Sequence, residues 1–315
     1  MHEPSICFEQ SPAMIAFRRA AGDANRLLNT LLVALETLKG NEAVKPSDLV
    51  VSWSKPTTEA EWLETRNFAL RGTMVAIVDA LDQYLRIISR ISGLTSPELD
   101  NQLNGRKELN EERRPTLPER VAALCAHYKD TVHPAYVLAV AVLVAWRNRF
   151  VHFEHKEGLS RTERSQLLGH ADFFKEEFGG ADMKGALQRY GAGGPPTLSD
   201  FSMLIAASQR LVKNIDEHLL HLQDGDAYAV SLTRYLLFSS PDPAATLERI
   251  FFPGGADAAG RLLSLFLDNG GNSNVNRRAS APSLTRERLN DVLGLSRTKA
   301  AAFFGIKRPR TGPGQ

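Results

Sequence analysis

One short run in this chain carries side chains suited to moving a proton beside a bound phosphate: Trp146-Arg147-Asn148-Arg149-Phe150-Val151-His152. Histidine, with an unperturbed pKa of about 6.5, gives or takes a proton at neutral pH. Arginine keeps its charge and grips phosphate through two parallel N–H donors. On a helix, Asn148 and His152 are four residues apart and share a face. Arg147 and His152 are five apart and lie about 140° around the axis. They do not stack, but the arginine is long enough to reach a phosphate held beside the imidazole. The amide of Asn148 can orient the imidazole or the guanidinium.

Two other pairings, Arg120-x6-His127 and Arg164-x5-His170, have similar composition. Neither has an amide after its arginine, and both read as accidents of spacing. Plainer roles stand beside the chemical ones at every position. Arg147 could be a surface arginine and His152 a helix-terminal imidazole drawn to the negative end of the dipole. Asn148 could cap the helix. Arg149, His155 and Lys156 make either a phosphate-contacting or a merely solvated basic face. Glu154 is either a second acid/base group or a salt-bridge partner.

The site needs a rigid mount, and the sequence supplies one. Ala135 to Trp146 is an unbroken apolar stretch of twelve residues. That is too short for a bilayer and reads as a buried core helix. Pro134 is a favourable first-turn residue, and the helix is expected to run to about Lys156, with Gly158 ending it. Around it, Met14 to Leu38 reads as a helix with Phe17, Leu27, Leu31, Leu32 and Leu35 on its apolar side. Leu49 to Trp53 is either a strand or a packed connector. Thr58 to about Ile91 is a long capped helix with Leu70, Met74, Ile77, Leu81, Tyr84, Ile88 and Ile91 on one stripe. Residues 95–117 read as a loop with at most a short helix.

Leu117–Tyr128, Ser160–Phe178 and Ser199–Leu222 read as further helices. Four long helices describe an antiparallel bundle over residues 58–224. Residues 1–57 are then an N-terminal helical extension, and 225–315 a helical C-terminal region. That region holds short helices near 227–238, 243–251 and 256–267, then a polar linker from Asn269 to Ser283. A helix-turn-helix pattern follows, Thr285–Leu293, Gly294-Leu295, Ser296–Phe304.

An Arg-Asn-x-x-Val-His run at the end of an inner bundle helix resembles the HEPN superfamily, over residues 58–224, about half the chain. The resemblance implies an all-α fold: an antiparallel four- to five-helix bundle, here with an N-terminal helical extension and a small helical C-terminal unit. It implies an endoribonuclease, acting in microbes as a toxin or antiviral defence effector. Arg147, Asn148 and His152 would be catalytic, with Arg149 and Lys156 touching RNA. The residue types suit that chemistry. The RNA 2′-hydroxyl supplies the nucleophile, so the reaction requires no metal, and the products are a 2′,3′-cyclic phosphate or 3′-phosphate and a 5′-hydroxyl. Neither metal nor cofactor is expected. The family joins two protomers' motifs in one composite site, which implies a homodimer. The rival classes are a HEPN module that binds a nucleotide, RNA or a protein without cutting, and a nucleic-acid-binding regulator acting through its C-terminal region.

Composition sets outer bounds. At 315 residues and 43% hydrophobic, the chain can bury a substantial core and is not globally disordered. Net charge is +2, but unevenly spread: Gly271 onward holds nine Lys/Arg and two Asp/Glu, leaving 29 against 34 in the rest. A basic end suits contact with a polyanion, and Arg297 and Lys299 at the second helix of the C-terminal pair would meet DNA or RNA. Two cysteines, Cys7 and Cys125, make neither a disulfide framework nor a zinc set. With no basic start or apolar run at residues 1–5, no signal peptide is expected. The expected location is the cytoplasm, without membrane contact. No phosphate-cradling glycine loop, His-Glu-x-x-His or Gly-x-Ser-x-Gly is present.

Overall fold

The computed structural model describes residues 4–42, 44–48, 50, 52–105, 113–129, 131–151, 158–252, 258–273 and 281–306. Among these, fourteen helices and three short strands account for the regular structure, and the fold is all-α in character.

Strand β1 (Pro4–Phe8) precedes α1 (Pro12–Gly40). Ser11 starts this helix, its hydroxyl accepting the Met14 N–H at 3.1 Å, with Pro12 in the first turn. Its buried positions include Ala13, Met14, Phe17, Ala21, Ala24 and Leu28. Leu27 and Leu31, expected on the apolar side, are instead about half exposed, because the buried stripe steps through small alanines and past them. Leu49 and Val51 lie outside the described residues, and Val50, Ser52 and Trp53 form no strand.

Helix α2 (Glu59–Ile88) begins with a reciprocal cap: Thr58 Oγ1 accepts the Glu61 N–H at 3.2 Å, and Glu61 Oε2 accepts the Thr58 N–H at 3.1 Å. Every member of the expected stripe from Leu70 to Ile91 is buried. Then come α3 (Pro97–Leu103), α4 (Leu117–His127) and α5 (Pro134–Val151). The stretch expected as one helix from Ser160 is two, α6 (Arg161–Gly169) and α7 (Ala171–Glu177), parted at His170. Helix α8 (Met183–Gly191) had no sequence expectation; Asp182 caps it by accepting the Gly185 N–H at 2.9 Å. Helix α9 (Leu198–His221) buries its stripe of Phe201, Leu204, Ile205, Leu211, Val212, Ile215 and Leu219.

The C-terminal part runs α10 (Gly225–Phe238), α11 (Pro243–Phe251), α12 (Ala258–Asp268), strands β2 (Gly271–Asn272) and β3 (Ser283–Thr285), then α13 (Arg286–Leu293) and α14 (Arg297–Phe304). The polar segment expected to be a linker thus supplies both neighbours of β1, in the antiparallel order β2-β1-β3. Cys7 lies opposite Asn272 and Ser283. Gly270 makes this possible: its φ is 99°, and a Cβ there would run into the Gln10 carbonyl.

The residues gather into two units, each drawn from separate stretches of chain. One comprises Met1–Ile15, Tyr84–Thr116 and Lys213–Gln315. Phe8 lies at its core, edge-on to Tyr228 at 5.0 Å and to Phe266 at 5.5 Å. A deeply buried carboxylate in it, Asp216, accepts the Ser11 N–H at 2.9 Å, the Ser11 hydroxyl, and the Tyr84 hydroxyl at 3.4 Å. Burial pushes the Asp216 carboxyl up to about 6, against the lowering effect of those donors.

The other unit, Ala16–Gln83 and Leu117–Val212, is built around α5, which packs on α4 and α6. Helix α5 is long and apolar enough to cross a membrane by composition, yet ten of its residues, Ala135 to Trp146 with two gaps, are buried against protein. Burying each Val or Leu contributes roughly 1.5–3 kcal/mol.

Candidate functional site

The polar end of α5 carries the candidate site. Up to Trp146 the helix is enclosed; from Arg147 to Phe150 it is half-buried. Trp146 anchors the transition, its indole N–H donating to the Gly194 carbonyl at 3.3 Å and its ring meeting Tyr190 edge-on at 5.6 Å. A helix with so much apolar surface locked in place delivers its last turn as a fixed platform.

On that platform the structure brings Arg147 and Asn148 together. Arg147 Nη1 donates to Asn148 Oδ1 at 3.2 Å. Arg147 Nη2 stands 3.7 Å from Asp79 Oδ1 on α2, and that carboxylate is 66% exposed. The Nε–H of Arg147 is buried without a hydrogen-bond partner among the described residues. A buried donor left unmatched costs roughly 1–3 kcal/mol, and an acceptor brought by a ligand would recover it.

Arg149 faces a different neighbour. Its guanidinium lies 4.0 Å over the Tyr190 ring and donates to the Tyr190 carbonyl, pinning α5 to α8. A phosphate contact by Arg149 would draw on the same guanidinium. Arg164 also approaches the Tyr190 ring, at 5.8 Å, and Arg71 sits 4.9 Å over Phe150. Four arginines, 71, 147, 149 and 164, therefore surround the contacts made by this helix end. His152 and Lys156 lie outside the described residues, as do Glu154 and His155.

The two discarded pairings prove structural where they are described. Arg120 is buried and paired with Asp82 of α2. Arg164 Nε donates to the Leu159 carbonyl at 3.2 Å. His170 meets the His133 ring at 5.2 Å, and His133 stacks on Phe173 at 3.8 Å. Burial, then the neighbouring His170, lowers the His133 pKa.

Sequence reasoning missed Asp79, Arg71 and Tyr190. They belong to α2 and α8, 41 to 79 residues from the chain positions they contact, and no local spacing marks them. No group of three His, Cys, Asp or Glu side chains is placed to hold a metal among the described residues.

Fold and site together define a mostly helical protein whose apolar central helix ends in a joined arginine and asparagine. Comparison with family models, with curated proteins and with solved structures finds no match.

Proposed function

We propose that this protein is a metal-independent endoribonuclease of the HEPN type, with Arg147, Asn148 and His152 as its catalytic residues. The observation that carries the reading is the mount of Arg147. A rigid, apolar helix holds its guanidinium against Asn148, with one buried N–H unmatched among the described residues and further arginines around it. That guanidinium meets Asp79 only at long range and on an open face, which suits a phosphodiester better than the closed, direct pairing of Arg120 with Asp82 would.

In the proposed reaction Arg147 holds the non-bridging oxygens of the scissile phosphate as negative charge builds there. The His152 imidazole takes the proton of the 2′-hydroxyl. The O2′–P bond forms, the P–O5′ bond breaks, and the departing 5′-oxygen is protonated. Asn148 keeps the arginine fork oriented through the bond already present. A homodimer would bring two copies of this set together, and a role as a toxin or defence effector in the cytoplasm follows the family resemblance.

A second reading rests on Asp79. Its carboxylate partly neutralises Arg147, as it would in a module that binds RNA or a nucleotide without cutting it. Purified protein and its Arg147→Ala and His152→Ala variants, incubated with RNA in excess chelator, separate the two. Cleavage with 2′,3′-cyclic phosphate and 5′-hydroxyl ends, lost in both variants with helical content intact, supports the enzyme. RNA binding without any cleavage supports the module.

A further inference from the structure

The strongest feature that RNA cleavage leaves unused is the helix pair α13–α14. A three-residue turn, Gly294-Leu295-Ser296, joins the two helices, and each has a hydroxyl cap. Thr285 Oγ1 accepts the Arg288 N–H at 3.2 Å and Ser296 Oγ the Lys299 N–H at 3.5 Å. The pair is firmly held from behind. Leu289, Val292, Ala300, Ala301 and Phe304 are buried, and Phe304 packs on Phe251 of α11 at 5.3 Å. Arg234 of α10 donates to the carbonyls of Phe303 and Phe304, both at 3.2 Å, and Asp226 accepts the Thr285 N–H at 3.0 Å.

What this leaves facing outward on α14 is chemically uniform. Arg297, Thr298, Lys299 and Ala302 are exposed: two cations, a hydroxyl and a methyl, with no carboxylate anywhere on the helix. The small side chains let the helix backbone come close to a partner, and the cations call for an anionic one. Arg297 is 61% exposed and lies 3.3 Å from Glu248, itself 42% exposed. Such a surface pair contributes little, so phosphate can take the carboxylate's place. The surrounding sequence is itself cationic, with nine Lys/Arg and two Asp/Glu from Gly271 onward.

The shape selects among polyanions. A capped helix presented on a rigid base fits the B-form major groove, about 12 Å wide, whereas the A-form RNA major groove is too deep and narrow to admit side chains for reading. We infer that the α13–α14 pair is a docking surface for duplex DNA, with α14 entering the major groove and Arg297, Thr298 and Lys299 meeting phosphates and base edges. This surface is independent of the proposed RNA cleavage, and neither stands or falls with the other.

The test is fluorescence anisotropy of full-length protein with a labelled random-sequence DNA duplex several turns long. Duplex RNA and single-stranded RNA of the same sequence serve as competitors, over a range of salt. Binding in the micromolar range, typical of non-specific DNA contact, is expected to weaken as salt rises. Thr298→Asp and Lys299→Glu each weaken DNA binding about tenfold, while Lys299→Arg retains it. Both weakened variants keep the helical spectrum and any RNA cleavage of the parent. DNA affinity unchanged in the two variants would overturn the inference, as would absence of duplex binding or preferential capture of either RNA.

Discussion

Two aspartates three residues apart on α2 each meet an arginine, and the two meetings differ in kind. Asp82 faces Arg120 at the start of α4, and that arginine side chain is only 7% exposed. Asp79 faces Arg147 at the end of α5, where the arginine is 24% and the aspartate 66% exposed, 3.7 Å apart. The first pair is closed, directly hydrogen-bonded and committed to holding the bundle. The second is long and open on the carboxylate side. The same residue types on the same helix thus serve the fold in one place and remain available to a ligand in the other. Access to solvent and the directness of the pairing make the difference, not residue identity.

The comparison breaks most visibly by deleting the two arginines in turn. Arg147→Ala is expected to abolish RNA cleavage, a loss on the order of 10²–10⁴-fold as for a lost transition-state contact. It should cost the fold little, which paired single-turnover assays and thermal melts would show. Arg120→Ala should do the reverse, destabilising by about 3 kcal/mol because Asp82 is left half-enclosed without its cation. Chemical denaturation checks this, and an Arg120→Ala protein that is as stable as the parent would erase the distinction between the two pairs.

Asp216 extends the contrast to an enclosed carboxylate whose hydrogen bonds come from Ser11 and Tyr84 rather than from an arginine. Its folded pKa, about 6, lies above its ordinary 3.8, so the folded state holds the proton more tightly than the unfolded chain. The resulting stabilisation is fully present below pH 4 and is lost as pH rises through about 6, on the order of 3 kcal/mol. Asp216→Asn should lack that loss, so its stability relative to the parent rises between pH 4 and pH 7 in denaturant titrations. A difference that does not vary with pH would show that the carboxyl is ionised throughout.

The smallest effect belongs to Asp79→Asn. Removing a largely exposed carboxylate from beside Arg147 should change stability by under about 0.5 kcal/mol. It should raise RNA affinity a few-fold, read by anisotropy with a cleavage-resistant RNA. Weaker RNA binding would mean that Asp79 positions the arginine rather than restraining it.

Much of the helical content could be read locally. The stripe from Leu70 to Ile91, the Thr58/Glu61 cap and the Pro134 start each depend on neighbours within a few turns, and each is present in the structure. Strand β1 could not be read that way. Its partners lie some 265 residues along the chain, and a five-residue segment with a proline carries no alternation long enough to announce a strand. The glycines beside it, Gly270 and Gly271, look in sequence like a flexible link, whereas the backbone there must turn through positive φ to reach β1. The candidate site divides similarly: Arg147 and Asn148 are adjacent and legible, while Asp79, Arg71 and Tyr190 are not.

By itself, then, the sequence determined where most of the long helices lie, which faces of α2 and α9 turn inward, and that an arginine and an amide close the most apolar of them. These follow from capping chemistry and a period of 3.6 residues, both local. Only the tertiary structure decided which arginine is locked to an aspartate and which stands half open, and which carboxylate is enclosed in the interior. Those outcomes depend on what distant segments bring to the same point, and burial there sets whether a charge is spent on the fold or kept for a partner.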